Sequence, residues 1–253
     1  MVGHQPSRQP LEGRTVAVTG ASGTLGRALL QHCIEAGAAA IALTSTSKAL
    51  EIETRSGLVR PKTLVWKVGE EDRLSQQLKS VDILILNHGI NVYGERTSAA
   101  IRASYEVNAF SSWRLLEQFL ETAAEPQTEA QARPKEIWVN TSEAESNPAF
   151  SPLYELSKRT LGDLVTLRRL DAPCPIRKII LGPFKSKLNP VGIMDANQVA
   201  RSVVRQALSD RRNIIVTINP LTFLTFPLKE LLVSSYFRLF SQASQVEDQQ
   251  IED

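Results

Sequence analysis

The stretch Thr15-Val-Ala-Val-Thr-Gly-Ala-Ser-Gly-Thr-Leu-Gly26 decides the fold. Its first five residues are apolar or β-branched, the pattern of a short strand buried on both faces. Leu25 to Ala36 then reads as a helix, ended by Gly37 in the C-terminal cap. A strand, a glycine turn and a helix N-terminus in that order let the backbone come close to a pyrophosphate. The phosphate charge then sits on the unpaired N–H groups of the first helical turn. Gly20, Ser22, Gly23, Thr24, Leu25 and Gly26 are therefore candidate phosphate-binding residues. The spacing is Gly-x-x-Gly-x-x-Gly, not Gly-x-Gly-x-x-Gly. Taken alone, such a turn is also compatible with a plain strand-to-helix connection.

Further apolar runs lie at Ala39–Leu43, Leu64–Val68, Val81–Leu86, Ile137–Asn140, Ile176–Leu181 and Asn213–Ile218. Helical segments are expected at Ala99–Thr122, Tyr154–Arg169 and Ala196–Leu208. Strands alternating with helices imply right-handed crossovers. The expected fold is α/β, a Rossmann-type doubly wound parallel sheet of about seven strands in three layers. Residues 13–220 form the expected dinucleotide-binding domain. Residues 1–12 read as a disordered leader, 123–135 as an exposed mobile loop and 241–253 as a disordered tail.

The 253 residues are 42% hydrophobic and 22% charged, with a net charge of +2. That charge is too small to suggest nucleic-acid binding. Cys33 and Cys174 are far apart in sequence and read as reduced thiols, and His4, His32 and His88 are scattered, so no metal-ligand spacing is visible. Residues 1–13 lack the apolar core of a signal peptide, and a cytoplasmic location is expected.

The chemistry is carried by Tyr154 and Lys158, four residues apart and so on one helical face, with Ser142 twelve residues before the tyrosine. A free phenol titrates near pH ~10, and moving it to neutrality takes about 4 kcal/mol. One ammonium at ~4 Å supplies about that much at an effective dielectric of ~20. A tyrosine of lowered pKa is expected here, with Ser142 hydrogen-bonding the substrate oxygen. Thr44, Ser45 and Lys48 follow the second strand, where an acidic residue would select NAD. Small hydroxyls and a lysine favour NADP instead, with NAD as the alternative. Asn87, His88 and Gly89 close the fourth strand, where backbone could lie against the adenosine. His88 is read as a packing or cofactor-lining residue and not as a base. Asn108 lies inside a helix, an intrinsically poor place for it, as a water-holding residue or as a satisfied core amide.

With these residues in view, the chain resembles the short-chain dehydrogenase/reductase superfamily over residues 13–220. The resemblance rests on Thr19-Gly20…Gly26, Asn87-His-Gly89, Asn108, Ser142, Tyr154, Lys158 and Gly182-Pro183. It implies a catalytic tetrad of Asn108, Ser142, Tyr154 and Lys158. In it Tyr154 is the acid/base, Lys158 binds the nicotinamide ribose, Ser142 positions substrate and Asn108 supports a proton relay. It also implies cofactor contacts at Gly182 and Pro183. The strings Asn140-Thr-Ser-Glu-Ala-Glu145 and Ile180-Leu-Gly-Pro-Phe-Lys-Ser186 resemble one branch more closely, the dehydrogenase part of cyanobacterial bifunctional sterol desaturase/short-chain dehydrogenase proteins. Three positions depart from the family pattern. Thr24 replaces a glycine, Leu86-Asn-His-Gly89 replaces Asn-Asn-Ala-Gly, and Lys67 replaces an acidic residue.

Pro227 to Phe240 reads as a helix whose apolar side chains cover roughly 240° of arc, more than one core-facing stripe needs. Residues 221–240 are thus an apolar extension that could pack in a homo-oligomer, cover the substrate or touch a membrane surface. The leading functional reading is an NADP-dependent oxidoreductase that interconverts a carbonyl and an alcohol on a small apolar, lipid- or sterol-like substrate. The alternative is a non-catalytic dinucleotide-binding regulatory or scaffold protein. A nucleotide-sugar epimerase would share the glycine spacing and the tyrosine pair, but with a larger C-terminal domain than the residues after Gly182 provide.

Overall fold

A computed structural model describes residues 9–125, 134–148 and 150–242. The elements in chain order are β1 (Thr15–Thr19), α1 (Thr24–Glu35), β2 (Ala39–Thr44), β3 (Ile52–Thr54), β4 (Gly57–Val59), β5 (Lys62–Val65), α2 (Ser75–Lys79), β6 (Ile83–Leu86), α3 (Ser98–Tyr105), α4 (Ser111–Ala124), β7 (Glu136–Asn140), α5 (Pro152–Arg168), β8 (Ile176–Leu181), α6 (Ala196–Leu208), β9 (Asn213–Val216) and α7 (Thr222–Phe240). Seven strands form one sheet in the order β5-β2-β1-β6-β7-β8-β9, and every pairing in it is parallel. The strand order reverses between β1 and β6. The C-terminal ends of these two strands therefore open a crevice, as expected at the switch point of a doubly wound sheet.

Two apolar clusters cover the two faces. One packs α1 and α6 through Leu25, Leu29, Val199 and Val203 against Val16, Val18 and Ile214. The other packs α4 and α5 through Leu115, Phe119, Leu161 and Val165 against Ala17, Leu84 and Val139. The inner strands β1, β6, β7 and β8 are buried on both sides, which explains their largely apolar runs, whereas the edge strand β5 is partly exposed. β8 is the exception in composition, since it buries Arg177 and Lys178 in a fully covered strand. Arg177 is held there by Glu136 at 2.8 Å, and Lys178 by Glu145 at 2.9 Å.

The third sheet strand lies earlier than expected, at Lys62–Val65 and not Leu64–Val68, because pairing with Ile41–Thr44 of β2 sets its register. A small antiparallel hairpin, β3–β4, went unread in the sequence; it turns through Arg55 and Ser56 into Gly57, whose φ is +116°. Residues 1–8 of the expected leader lie outside the described residues, but its last part is not disordered. Leu11 is buried, and its N–H donates to the Ala36 carbonyl at 2.8 Å. The expected loop 123–135 is likewise shorter. Ala123 and Ala124 finish α4, and buried Lys135 donates to the carbonyls of Leu78, Lys79 and Val81. Residues 126–133 and 243–253 lie outside the described residues.

α7 begins five residues before Pro227, where the helix was expected to start, and carries that proline inside it. Tertiary contacts hold the early turns. Thr222 and Phe226 are buried, Thr222 donates to Glu143 at 3.1 Å, and the Lys178 ammonium lies 5.5 Å from the Phe226 ring.

Candidate active site

A cleft of about 640 Å³ runs along the C-terminal ends of the strands. Gly20, Ser22, Gly23, Thr24 and Leu25 line one end, with Thr44, Ser45, Asn87, His88 and Gly89 beside them. Ser142, Tyr154, Lys158, Gly182 and Pro183 line the other. Three candidates are not among the lining residues. Gly26 is buried beneath the turn, Asn108 is buried behind the cleft, and Lys48 is exposed in the loop after β2.

The glycine turn fits a phosphate group. Gly20 has φ +62°, in the left-handed region, and a Cβ there would lie 3.0 Å from the His88 Cα. A Cβ on Gly26 would lie 2.3 Å from the Gly20 carbonyl oxygen, so only glycine lets α1 approach the turn this closely. No side chain caps α1, and its first turn holds no acidic residue. Its leading N–H groups are thus left for an anion. Thr44 and Ser45 offer hydroxyls without a carboxylate at the end of β2.

Asn108 sits in a π-helical turn, Glu106–Phe110, between α3 and α4. Such a turn adds a residue to the helix and redirects its side chain. Its Oδ1 accepts from the Ile90 N–H at 2.8 Å, and its Nδ2 donates to the Ile90 carbonyl and to Ser157 Oγ, both at 3.0 Å. The side chain thus fixes the loop after β6 against α5, as a satisfied buried amide.

Tyr154 departs from the expectation of a lowered pKa. Burial pushes its phenol up to about 12, against a smaller opposing effect of hydrogen bonding with Ser142. Lys158 does not outweigh that burial. Its ammonium lies 5.9 Å from the Tyr154 ring centre and donates to the Asn140 carbonyl at 3.0 Å. Burial also lowers Lys158 to about 8, partly offset by the negative charge of Glu145. In the protein alone the Lys158 charge therefore does not bring the phenol near neutrality.

His88 is committed to the scaffold. Ser111 donates its hydroxyl hydrogen to Glu71 at 2.6 Å, so His88 Nε2, 3.2 Å from Ser111 Oγ, acts as the donor. Nδ1 is then the acceptor facing Thr19 Oγ1 at 2.9 Å. Burial, with Lys158 nearby, holds its pKa down at about 3, and the imidazole stays neutral.

Sequence reading missed several lining residues. Trp66 and Val68 wall the end near Ser45, with Trp66 edge-on to His88 at 5.2 Å. Asn140 donates to Asn87 Oδ1 at 3.0 Å, while its own buried Oδ1 has no partner. Glu143, Asn91, Ser151 and Asn189 make the far end polar, and Phe150, almost fully exposed, stands at its rim. Asn140, Glu143, Phe150 and Ser151 are close in sequence to Ser142 and Tyr154, which was their one advance signal; Trp66, Val68, Asn91 and Asn189 reach the cleft only through the fold.

A curated relative, the monoglucosyldiacylglycerol epimerase of Synechocystis sp., is 57% identical over 234 residues, 92% of this chain. The chain spans only about half of that relative's length, 56%. A Burkholderia cenocepacia short chain dehydrogenase solved with NADP has TM-score 0.68 at 18% identity, over 91% of this chain and 99% of the other. BdcA solved with NADPH has TM-score 0.64 at 19% identity, over 83% and 94%. At such identities these two share the fold. The sequence profile for short chain dehydrogenase matches residues 14–167, more than half of the chain and the part that carries the glycine turn, Ser142, Tyr154 and Lys158. By that match the chain belongs to the short-chain dehydrogenase family.

Proposed function

We propose that this chain is an NADP-dependent oxidoreductase that interconverts an alcohol and a carbonyl on the sugar headgroup of a membrane glycolipid. The observation that carries the reading is one cleft that joins the uncapped glycine turn to Ser142, Tyr154 and Lys158. Gly20 to Leu25 would hold the pyrophosphate, and Thr44 with Ser45 the phosphorylated ribose. When bound, the oxidised nicotinamide supplies a hydride acceptor and a positive charge beside the phenol.

Tyr154 takes the proton from the substrate hydroxyl, which the Ser142 hydroxyl holds by a hydrogen bond. Lys158, anchored on Asn140, supports the phenolate charge. Polar residues at the far end, Glu143, Asn91 and Asn189, suit a polyhydroxylated group, and exposed Phe150 at the rim suits an apolar tail. The name of the epimerase relative supports the glycolipid class. Oxidation of one carbinol followed by return of the hydride to the other face of the carbonyl gives net epimerisation with no cofactor consumed. The scaffold alternative leaves the Ser142–Tyr154–Lys158 set without a use. The greater length of the relative is compatible with the two-part desaturase/dehydrogenase branch, as part of this same proposal.

We place the protein in the cytoplasm, at a membrane surface. Leu224, Leu228, Leu231, Leu239 and Phe240 of α7 are all more than half exposed, an apolar face available to lipid. Among the described residues no helix is long and apolar enough to cross a membrane. A homo-oligomer built on the same face is the competing use of α7, and co-sedimentation with phosphatidylglycerol vesicles separates the two.

The test of function incubates the protein with NADP⁺ and monoglucosyldiacylglycerol in mixed micelles. A second glycolipid of unchanged mass and altered sugar configuration is expected, and Tyr154→Phe should abolish it while leaving NADPH binding within about twofold. Oxidised lipid with accumulating NADPH would mark a dehydrogenase without return of the hydride. No conversion of this lipid or of other apolar alcohols overturns the reading.

A further inference from the structure

Six charged side chains meet beneath the cleft, and two of them come from α7. Glu145 ends the short 3₁₀ turn Glu143–Glu145, whose N-cap is Ser142. The carboxylate is buried, and its Oε2 accepts from Lys178 and from Lys229, each at 2.9 Å. Lys178 also donates to Glu230 at 2.8 Å and to Thr166 at 2.7 Å. Arg169 takes the other oxygen of Glu230 at 2.9 Å, and Lys229 also binds Asp163. Two residues further back, Glu143 accepts from Thr217 at 2.7 Å and from Thr222 at 3.1 Å. The turn that carries Ser142 is thus gripped through both its acidic residues, and α7 supplies one partner to each.

We propose that Glu145 and Lys229 are positioning residues of the hydride-transfer site, so that α7 is a working part of the catalytic apparatus and not an appendage. This rests on the function proposed above. The same α5 that carries Tyr154 and Lys158 carries Asp163 and Thr166 and is capped at its C-terminus by Arg169, so one cluster ties the proton-transfer helix to the Ser142 turn. Arg159 of α5 adds a bond to the Ala144 carbonyl at 2.7 Å. Moving the turn relative to α5 would separate Ser142 from Tyr154, and the cluster resists that motion.

The cluster also sets the field at Lys158. The groups facing or near that ammonium are Tyr154 on its own helix, neutral His88 after β6, and Glu145 from the turn. Behind Glu145 stand Lys178 of β8, Lys229 and Glu230 of α7, Asp163 of α5 and Arg169 at its C-cap. Lys229 neutralises part of the Glu145 charge that Lys158 senses.

The test follows the ammonium titration of Lys158 by ¹⁵N NMR in the full chain labelled at lysine, with Lys158→Met identifying the signal. Lys229→Met should raise the midpoint by at least half a pH unit, because Glu145 acts less shielded. Glu145→Gln should lower it by a similar amount, and Lys229→Arg should restore it. A purely structural role predicts no such opposed pair of shifts. In the glycolipid assay Lys229→Met should lose at least tenfold in kcat, with KM for NADP⁺ changed less than twofold. If Lys229→Met fails to fold, Lys229→Gln, which keeps a hydrogen-bond donor and removes the charge, takes its place against Glu145→Gln. Unmoved or same-direction midpoints overturn the proposal. A wild-type protein inert in the assay overturns the proposed function alone, since the titration does not depend on turnover.

Discussion

Glu145 occupies the space that any side chain at Gly162 would need. A Cβ at position 162 would lie 2.2 Å from the Glu145 carboxyl carbon, deep inside van der Waals contact. In an open helix Gly→Ala stabilises by roughly 1 kcal/mol. At position 162 the sign should reverse, since the methyl drives a buried carboxylate off two ammonium partners. Gly162→Ala should cost about 3 kcal/mol, or about 6–12 °C in Tm for a domain of this size. Thermal unfolding at unchanged or higher temperature would mean that the carboxylate moves aside freely.

Burial of Lys158 should be visible as pH-dependent stability. Its folded pKa is lowered to about 8, against ~10.4 in the unfolded chain. Below pH ~8 both states hold the proton and the burial penalty is complete. Between ~8 and ~10.4 the unfolded chain keeps a proton that the folded chain has released, so stability rises with pH. Relative to Lys158→Met, the wild-type protein should gain about 3 kcal/mol across that window. Urea unfolding of both proteins at pH 7 and pH 10.5 reads the difference, and parallel behaviour would contradict the burial of a charged lysine.

Cofactor choice should follow the end of β2. With hydroxyls at Thr44 and Ser45 and no carboxylate there, NADPH should bind at least about tenfold more tightly than NADH, a difference of ~1.4 kcal/mol. Ser45 is exposed, so added salt should narrow the gap. Ser45→Asp should reverse the preference. Equal affinities in fluorescence titrations of the wild-type protein would empty this reading of Thr44 and Ser45.

Truncation after Pro220 is expected to unfold or aggregate the chain. It would strip Lys178 of Glu230, Glu145 of Lys229 and Arg169 of Glu230, and leave buried charges without their partners. It would also uncover the Phe226 site on Lys178. Circular dichroism and light scattering on residues 1–220 test this. A monodisperse, folded fragment would make α7 separable after all.

Much of the fold was legible because the signal is local. β1, β8 and α6 follow directly from apolar periodicity, and Gly20, Gly23 and Gly26 mark a turn that few other residues permit. Tyr154, Lys158 and Ser142 were visible as a spacing, and the cleft does bring them together. The parts that sequence reading missed are non-local. Nothing in Leu64–Val68 reveals that the partner strand fixes the register two residues earlier. Leu11 and Lys135 look like polar-segment residues until the core and the α2–β6 carbonyls are in place around them.

The sequence alone determined the architecture and the chemical inventory, since strand and helix periods, glycine freedom and the Tyr154–Lys158 spacing are properties of neighbouring residues. Tertiary structure decided the electrostatics. Whether Lys158 lowers the phenol or loses to its burial depends on how much water is excluded and on which carbonyl the ammonium reaches. Whether α7 is a loose apolar tail or a clamp on the Ser142 turn depends on Lys229 and Glu230 meeting Glu145, Lys178 and Arg169. Charges distant in sequence interact strongly only where folding removes the solvent between them.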